Sequence, residues 1–282
     1  MAKVEIDPIS GTPTTGHEWD GIKELNTPLP KWWILTFYAT IIWTFAYWVV
    51  YPTIPSWGGI WNYSSREELG TEMAAAKKAQ SAWLDKLKKA SAEEIAKNPE
   101  LAKYARKGGE AMFKENCSAC HGMNGAGVTG YPSLQDDEWI WGGKIAEIEK
   151  TIRVGARSTH KDTRASDMPK FGVDQALKPE EIAVVADYVV ALSSGKGVAG
   201  KGAEVFADNC AACHGEKGEG NRDVGAPRLN NAIWLYKGDK KSIEAQVNNP
   251  RQGVMPTWEG RLNDVTIKQL AVYVHSLGGG EK

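Results

Sequence analysis

The sequence predicts an all-α protein: one apolar helix near the amino terminus, then two small helical domains related to each other. Three observations carry this expectation. Residues 32–51 read WWILTFYATIIWTFAYWVVY, with no charge, glycine or proline. Residues 107–117 align without gaps to residues 200–210, matching Phe113 to Phe206 and Asn116 to Asn209. Each repeat closes on an apolar stripe, Ile182, Val185, Ala186, Val189 and Leu192 in the first, and Ile267, Leu270, Ala271, Val274 and Leu277 in the second. Steps of three and four put such side chains on one helical face.

The elements follow in chain order. A hydrophilic arm, 1–31, precedes the apolar run. At 1.5 Å per residue the run spans about 30 Å, the thickness of bilayer hydrocarbon, so 32–51 is expected to cross a membrane. Trp32 and Trp33 at one end, with Tyr51, Trp57 and Trp61 at the other, suit its two interfaces. The run starts late and lacks a small-residue cleavage site, which argues for a retained anchor over a cleaved signal peptide. A spacer, 52–98, is rich in Ala, Lys and Glu. Ser65 with Glu68, and Ser91 with Glu94, are capping-box pairs for two helices. Leu69, Met73, Ala76, Trp83 and Leu87 form a sparse stripe for packing on a domain or a partner. Pro99 opens the first domain, 99–196, and the second covers 197–282. Glu180 and Glu181 behind Pro179 start the first stripe, and Gly278 stops the second. With 34 basic and 35 acidic residues the net charge is −1. No basic stretch and no phosphate loop points to nucleic acid or nucleotides.

The chemistry sits in Cys117-Ser118-Ala119-Cys120-His121 and Cys210-Ala211-Ala212-Cys213-His214. Cys-x-x-Cys-His is the attachment signature of c-type haem: two thiols add to the porphyrin vinyls and the imidazole reaches the iron. Two motifs imply two covalent haem c groups and use all four cysteines. The alternative, one Cys₄ zinc centre, leaves the paired histidines unexplained. Methionine is a soft sixth ligand that raises the potential of haem iron. Met168 and Met255 each precede a proline and each follow one motif, so each repeat is expected to carry its own methionine. His160, close before Met168, is the rival ligand. His17 lies on the arm, and His275 at the edge of the last stripe reads as structural or exposed. Gly122, Gly125 and Gly127, with Gly215, Gly218 and Gly220, let backbone pass close to a porphyrin edge. Arg153, Arg157, Arg228 and Arg251 are candidates for the haem propionates, since guanidinium forks suit carboxylates. Irons closed by His121 with Met168 and His214 with Met255 leave no position for dioxygen or substrate. One-electron transfer remains. A free-standing dihaem shuttle is one alternative. A dihaem peroxidase or a gas sensor needs an open iron.

Each repeat resembles the class I cytochrome c fold, over residues 98–282. The resemblance implies that the Pro132 and Pro227 carbonyls orient the axial histidines. The arm, Gly16-His17-Glu18-Trp19-Asp20-Gly21-Ile22-Lys23-Glu24-Leu25-Asn26 with Pro28-Leu29-Pro30 and Trp32-Trp33, resembles the dihaem subunits (CcoP, also FixP) of cbb3-type cytochrome c oxidases. That resemblance implies a non-catalytic electron-transfer subunit. Its donor is a periplasmic cytochrome c or a quinol–cytochrome c oxidoreductase. Its acceptors are the monohaem and haem–copper subunits of the oxidase. It also implies single-pass insertion in a bacterial inner membrane, with the amino terminus cytoplasmic and the haem domains periplasmic.

Overall fold

The computed structural model describes residues 4–55, 57–196 and 199–281. The chain forms two compact units that divide after Lys77. In the first, β1 (Thr14–Trp19) and β2 (Ile22–Leu25) make an antiparallel hairpin. The all-α expectation omitted this hairpin. Its turn is Asp20-Gly21, with φ of 51° and 83°. Two positive-φ residues fit the twist of a two-residue hairpin loop, which is why Asp-Gly favours it.

Helix α1 spans Lys31–Val50 behind Pro30, and none of its residues is buried. Among the described residues it alone has the length and apolarity to cross a bilayer. After it the chain turns back, Ile60 N–H donating to Val49 O and Trp61 N–H to Val50 O. Gly59 (φ 69°) permits this, because a Cβ there would strike the Val50 carbonyl. Tyr51 stacks on Tyr47 at 4.6 Å and meets Trp61 edge-on at 5.0 Å. These rings form an aromatic collar at the helix end.

Helix α2 (Ser65–Lys89) starts at its expected cap, Ser65, so the capping position falls one residue earlier, on Ser64. Ser64 Oγ accepts from Glu67 N–H, and the Glu68 carboxylate goes to the Tyr63 hydroxyl. The stripe on α2 divides. Leu69 and Met73 are exposed, whereas Leu87 is fully buried and Trp83 stacks on Tyr104 at 5.3 Å.

In the second unit α3 (Ala92–Lys97) carries the complete Ser91–Glu94 capping box. Asn98 caps α4 (Pro99–Asn116) through Glu100 and Leu101 N–H. The remaining helices are α5 (Ser118–His121), α6 (Ile145–Val154), α7 (Pro179–Ser193), α8 (Lys201–Asn209), α9 (Ala211–His214), α10 (Lys240–Asn248) and α11 (Asp264–His275). Two buried cores hold them. The first joins Leu87, Ile95, Phe113, Ile148 and Ile152 to Ile267, Leu270 and Val274. The second joins Ile182, Val185 and Val189 to Val205, Phe206, Ile243 and Val247.

The repeats therefore exchange their last helices. Helix α11 packs on α4 and α6, while α7 packs on α8 and α10. The expected division at 196/197 separates the sequence repeats, yet each core draws on both. Gly197 at that junction and Lys282 at the end lie outside the described residues. The exchange is possible because the two helix pairs are near-equivalent. A Cβ on Gly109 of α4 would strike the Gln269 carbonyl of α11, and one on Gly202 of α8 the Val184 carbonyl of α7. Phe113 lies 5.4 Å from Tyr273 at 54°, and Phe206 lies 5.3 Å from Tyr188 at 51°.

Candidate functional site

Both Cys-x-x-Cys-His motifs form one helical turn, α5 and α9, at the end of a longer helix. The Cys117 N–H bonds to Phe113 O and the Cys210 N–H to Phe206 O, each at 2.8 Å. The buried phenylalanines thus anchor the first cysteine of each motif. Cys120 and Cys213 are exposed, whereas burial pushes the Cys117 and Cys210 thiols up to about 11. Among the described residues no three His, Cys, Asp or Glu side chains converge to hold a metal ion.

His121 Nδ1 donates to Pro132 O at 3.0 Å, and His214 Nδ1 to Pro227 O at 2.9 Å. A carbonyl only accepts, so each Nδ1 carries the proton and each Nε2 keeps its lone pair for a metal. Burial holds both imidazoles below their ordinary pKa, against a smaller opposing pull from the proline carbonyls. Both are neutral and ready to ligate at pH 7. The loops beyond them match. Gly127 N–H bonds to His121 O at 2.8 Å and Gly220 N–H to His214 O at 2.7 Å. A Cβ on Gly127 would lie 2.6 Å from Ser133 N, and one on Gly220 2.9 Å from Ala226 O.

Two cavities adjoin these loops. One of about 300 Å³ is lined by Pro132 and Trp139 of the first repeat and by Pro227, Arg228, Trp234 and Tyr236 of the second. One of about 590 Å³ lies beside the second motif, against Ala211, Ala212, Gly220 and Arg228, with Trp139 in its wall. Their volumes lie in the range of cofactor sites. The imidazoles with their free Nε2 atoms and the glycine loops beside them fit a covalent c-type haem.

The methionines follow the exchanged helices. Met255 packs on the first core, which includes Cys117 and Phe113, and Met168 on the second, which includes Cys210 and Ala211. The sequential expectation paired Met168 with His121 and Met255 with His214; the packing reverses it. The crossing is held by the backbone. Ala156 N–H donates to Met255 O at 3.0 Å, and Met255 N–H to Ala156 O at 2.9 Å. Both ring nitrogens of His160, the rival candidate, have other partners. Its Nε2 bonds to Glu259 at 2.9 Å and its Nδ1 accepts from Asp162 N–H at 3.0 Å. His275 is structural, with Nε2 on Glu281 O at 2.7 Å.

The four candidate arginines separate. Arg153 pairs with Glu149 and Asp264. Arg157 binds the Gly253 and Ser166 carbonyls. Arg251 lies over the Tyr236 ring at 4.1 Å. Arg228 lines both cavities and pairs with Glu138 of the other repeat at 3.1 Å. Sequence reasoning missed Trp141, whose ring fills the space beside Gly225 and sits 5.5 Å under Arg164. It also missed Gly109 and Gly202, although the gap-free repeat aligns them.

Known proteins show the same layout. Residues 11–58 match the N-terminal domain of cytochrome oxidase-cbb3, FixP; residues 105–193 match the cytochrome c family; residues 197–274 match cytochrome c oxidase, cbb3-type, subunit III. The chain is 50% identical over 285 residues to the cbb3-type cytochrome c oxidase subunit FixP of Bradyrhizobium sp. (strain ORS 278), covering 98% of each. It is 50% identical over 284 residues to FixP of Sinorhizobium medicae (strain WSM419), again covering 98% of each. It is 48% identical over 295 residues to the subunit CcoP of Azospirillum brasilense, covering all of both.

Proposed function

Because the chain belongs to the FixP/CcoP family of cbb3-type cytochrome c oxidase subunits, we propose that it is the anchored dihaem relay of such an oxidase. It takes single electrons from a periplasmic cytochrome c or a quinol–cytochrome c oxidoreductase. It hands them to the monohaem subunit and then to the haem–copper subunit that reduces dioxygen. The chain itself performs no catalytic step.

One observation carries this reading. Each core has the first cysteine of one Cys-x-x-Cys-His motif and one methionine packed on it, and the histidine of each motif is held by a proline carbonyl. Bound haem c supplies a one-electron iron couple. The chain would do the rest: Cys117 and Cys120, or Cys210 and Cys213, would hold the porphyrin, and the neutral Nε2 of His121 or His214 would ligate its iron. Met255 would ligate in the first site and Met168 in the second, which would leave neither iron open to an external ligand. Arg228, which lines both cavities, is the arginine placed for a propionate. Both haems lie in one compact unit, so transfer between them needs no diffusional encounter. Haem attachment outside the energy-coupling membrane places that unit in the periplasm, with α1 across the inner membrane and the arm in the cytoplasm. The exposed aromatic surface of α1 suits lipid and the transmembrane helices of the catalytic subunit.

The test is purification of the complex in detergent, with a pyridine haemochrome assay and subunit analysis. Two haems c on this chain, with haem b and copper in stoichiometric association, are expected. Recovery of the chain free of haem b and copper would favour a free-standing shuttle. Carbon monoxide binding or peroxide turnover at its haems would favour an open-iron enzyme or sensor. Deleting residues 1–30 is expected to impair assembly; full assembly of that variant would refute an assembly role for the arm.

A further inference from the structure

Arg157 follows the crossing point of the two ligand loops. Its φ is 53°, a region that non-glycine residues occupy rarely. Its own N–H bonds back to Arg164 O at 2.9 Å, which fixes that turn. From there its side chain reaches both loops. Nε donates to Gly253 O at 2.7 Å and Nη1 donates to Ser166 O at 3.1 Å. Gly253 stands two places before Met255, and Ser166 two places before Met168. One planar fork therefore holds the same backbone position in each loop, a geometry that the single ammonium of lysine cannot reproduce.

Further ties join the loops at the same place. Gln252 Nε2 donates to Met168 O at 3.2 Å, and Ala156 pairs with Met255. Each methionine loop thus rests on the other, although the methionines serve different cores. We propose that Arg157 is a positioning residue shared by the two haem sites, setting the approach of both methionine sulfurs at once. The proposal rests on Met168 and Met255 being the sixth ligands. A thioether must sit at bonding distance in a fixed direction to hold iron and raise its potential. Freeing both carbonyls loosens both approaches together.

The experiment uses the full chain in its detergent-purified complex, as wild type, Arg157→Gln and Arg157→Lys. Haem content is checked first. The oxidised protein is then read by its near-infrared sulfur-to-iron charge-transfer band, and each haem by redox titration. The reduced protein is read by carbon monoxide binding. In Arg157→Gln both potentials are expected to fall, both haems to bind carbon monoxide, and the band to drop below the half that one intact haem leaves. Arg157→Lys is expected to lie between, and it keeps the test open if the glutamine variant fails to assemble. Loss at only one haem, or an unchanged band and potentials at full haem content, would overturn the shared role. A wild-type complex without the band would overturn the methionine ligation itself, which is a distinguishable failure.

Discussion

Tyr273, on the last helix, packs at 5.4 Å and a 54° tilt on Phe113 of the first helix in the opposite repeat. Phe113 in turn accepts the N–H of Cys117, the first haem cysteine. The end of the chain thus supports the first haem motif, and the middle of the chain supports the second.

The α4–α11 crossing is intolerant of added volume. Gly109→Ala places a methyl against the Gln269 carbonyl, and forced overpacking costs about 1–3 kcal/mol. Phe113→Ala empties a fully buried site and is expected to cost about 3–5 kcal/mol. Chemical unfolding followed through the haem Soret signal checks both, and Gly202→Ala should act equally on the second core.

The methionine exchange has its own test. In a Cys117→Ser/Cys120→Ser background only the second haem remains. Met168→Ala is then expected to open that iron to carbon monoxide and lower its potential, with Met255→Ala leaving it closed. Pairing by chain order predicts the opposite pattern.

Truncation after Asn248 removes Met255 and α11. The first core should then unfold, although its own motif lies more than a hundred residues upstream. Limited proteolysis is expected to cut around Cys117 while the His214 haem keeps its methionine. Cleavage confined to the second motif would contradict the exchange.

Acid should loosen the same contact. Arg153 beside Asp264, at 2.7 Å, holds that carboxyl below its usual 3.8. A depressed carboxyl stabilises the fold above its unfolded value, and the effect is lost as pH falls through the folded value. Asp264→Asn is therefore expected to be slightly less stable than wild type at neutral pH, the pair being exposed. The two should converge only as pH falls through the lower, folded value. Thermal melts across that range check it.

The chemistry was legible because it is local. Cys-x-x-Cys-His, the Met-Pro pairs, the uncharged run of α1 and the three-and-four stripes each declare themselves within a few residues. The Asp20-Gly21 hairpin was missed, although that dipeptide is a turn signal between residues that pair as strands. The propionate candidates were less legible, because only the folded chain shows what each guanidinium touches. Arg153 and Arg157 are engaged elsewhere, whereas Arg228 faces both cavities.

By itself the sequence determined the family, the two Cys-x-x-Cys-His motifs, and that an apolar helix precedes them. Tertiary structure alone decided which methionine packs on which core. The stripes on α7 and α11 are nearly interchangeable, as are Gly109 with Gly202 and Phe113 with Phe206. Local pattern therefore cannot distinguish packing within a repeat from packing across repeats. That choice rests on contacts between distant segments, made where the chain crosses at Ala156 and Met255.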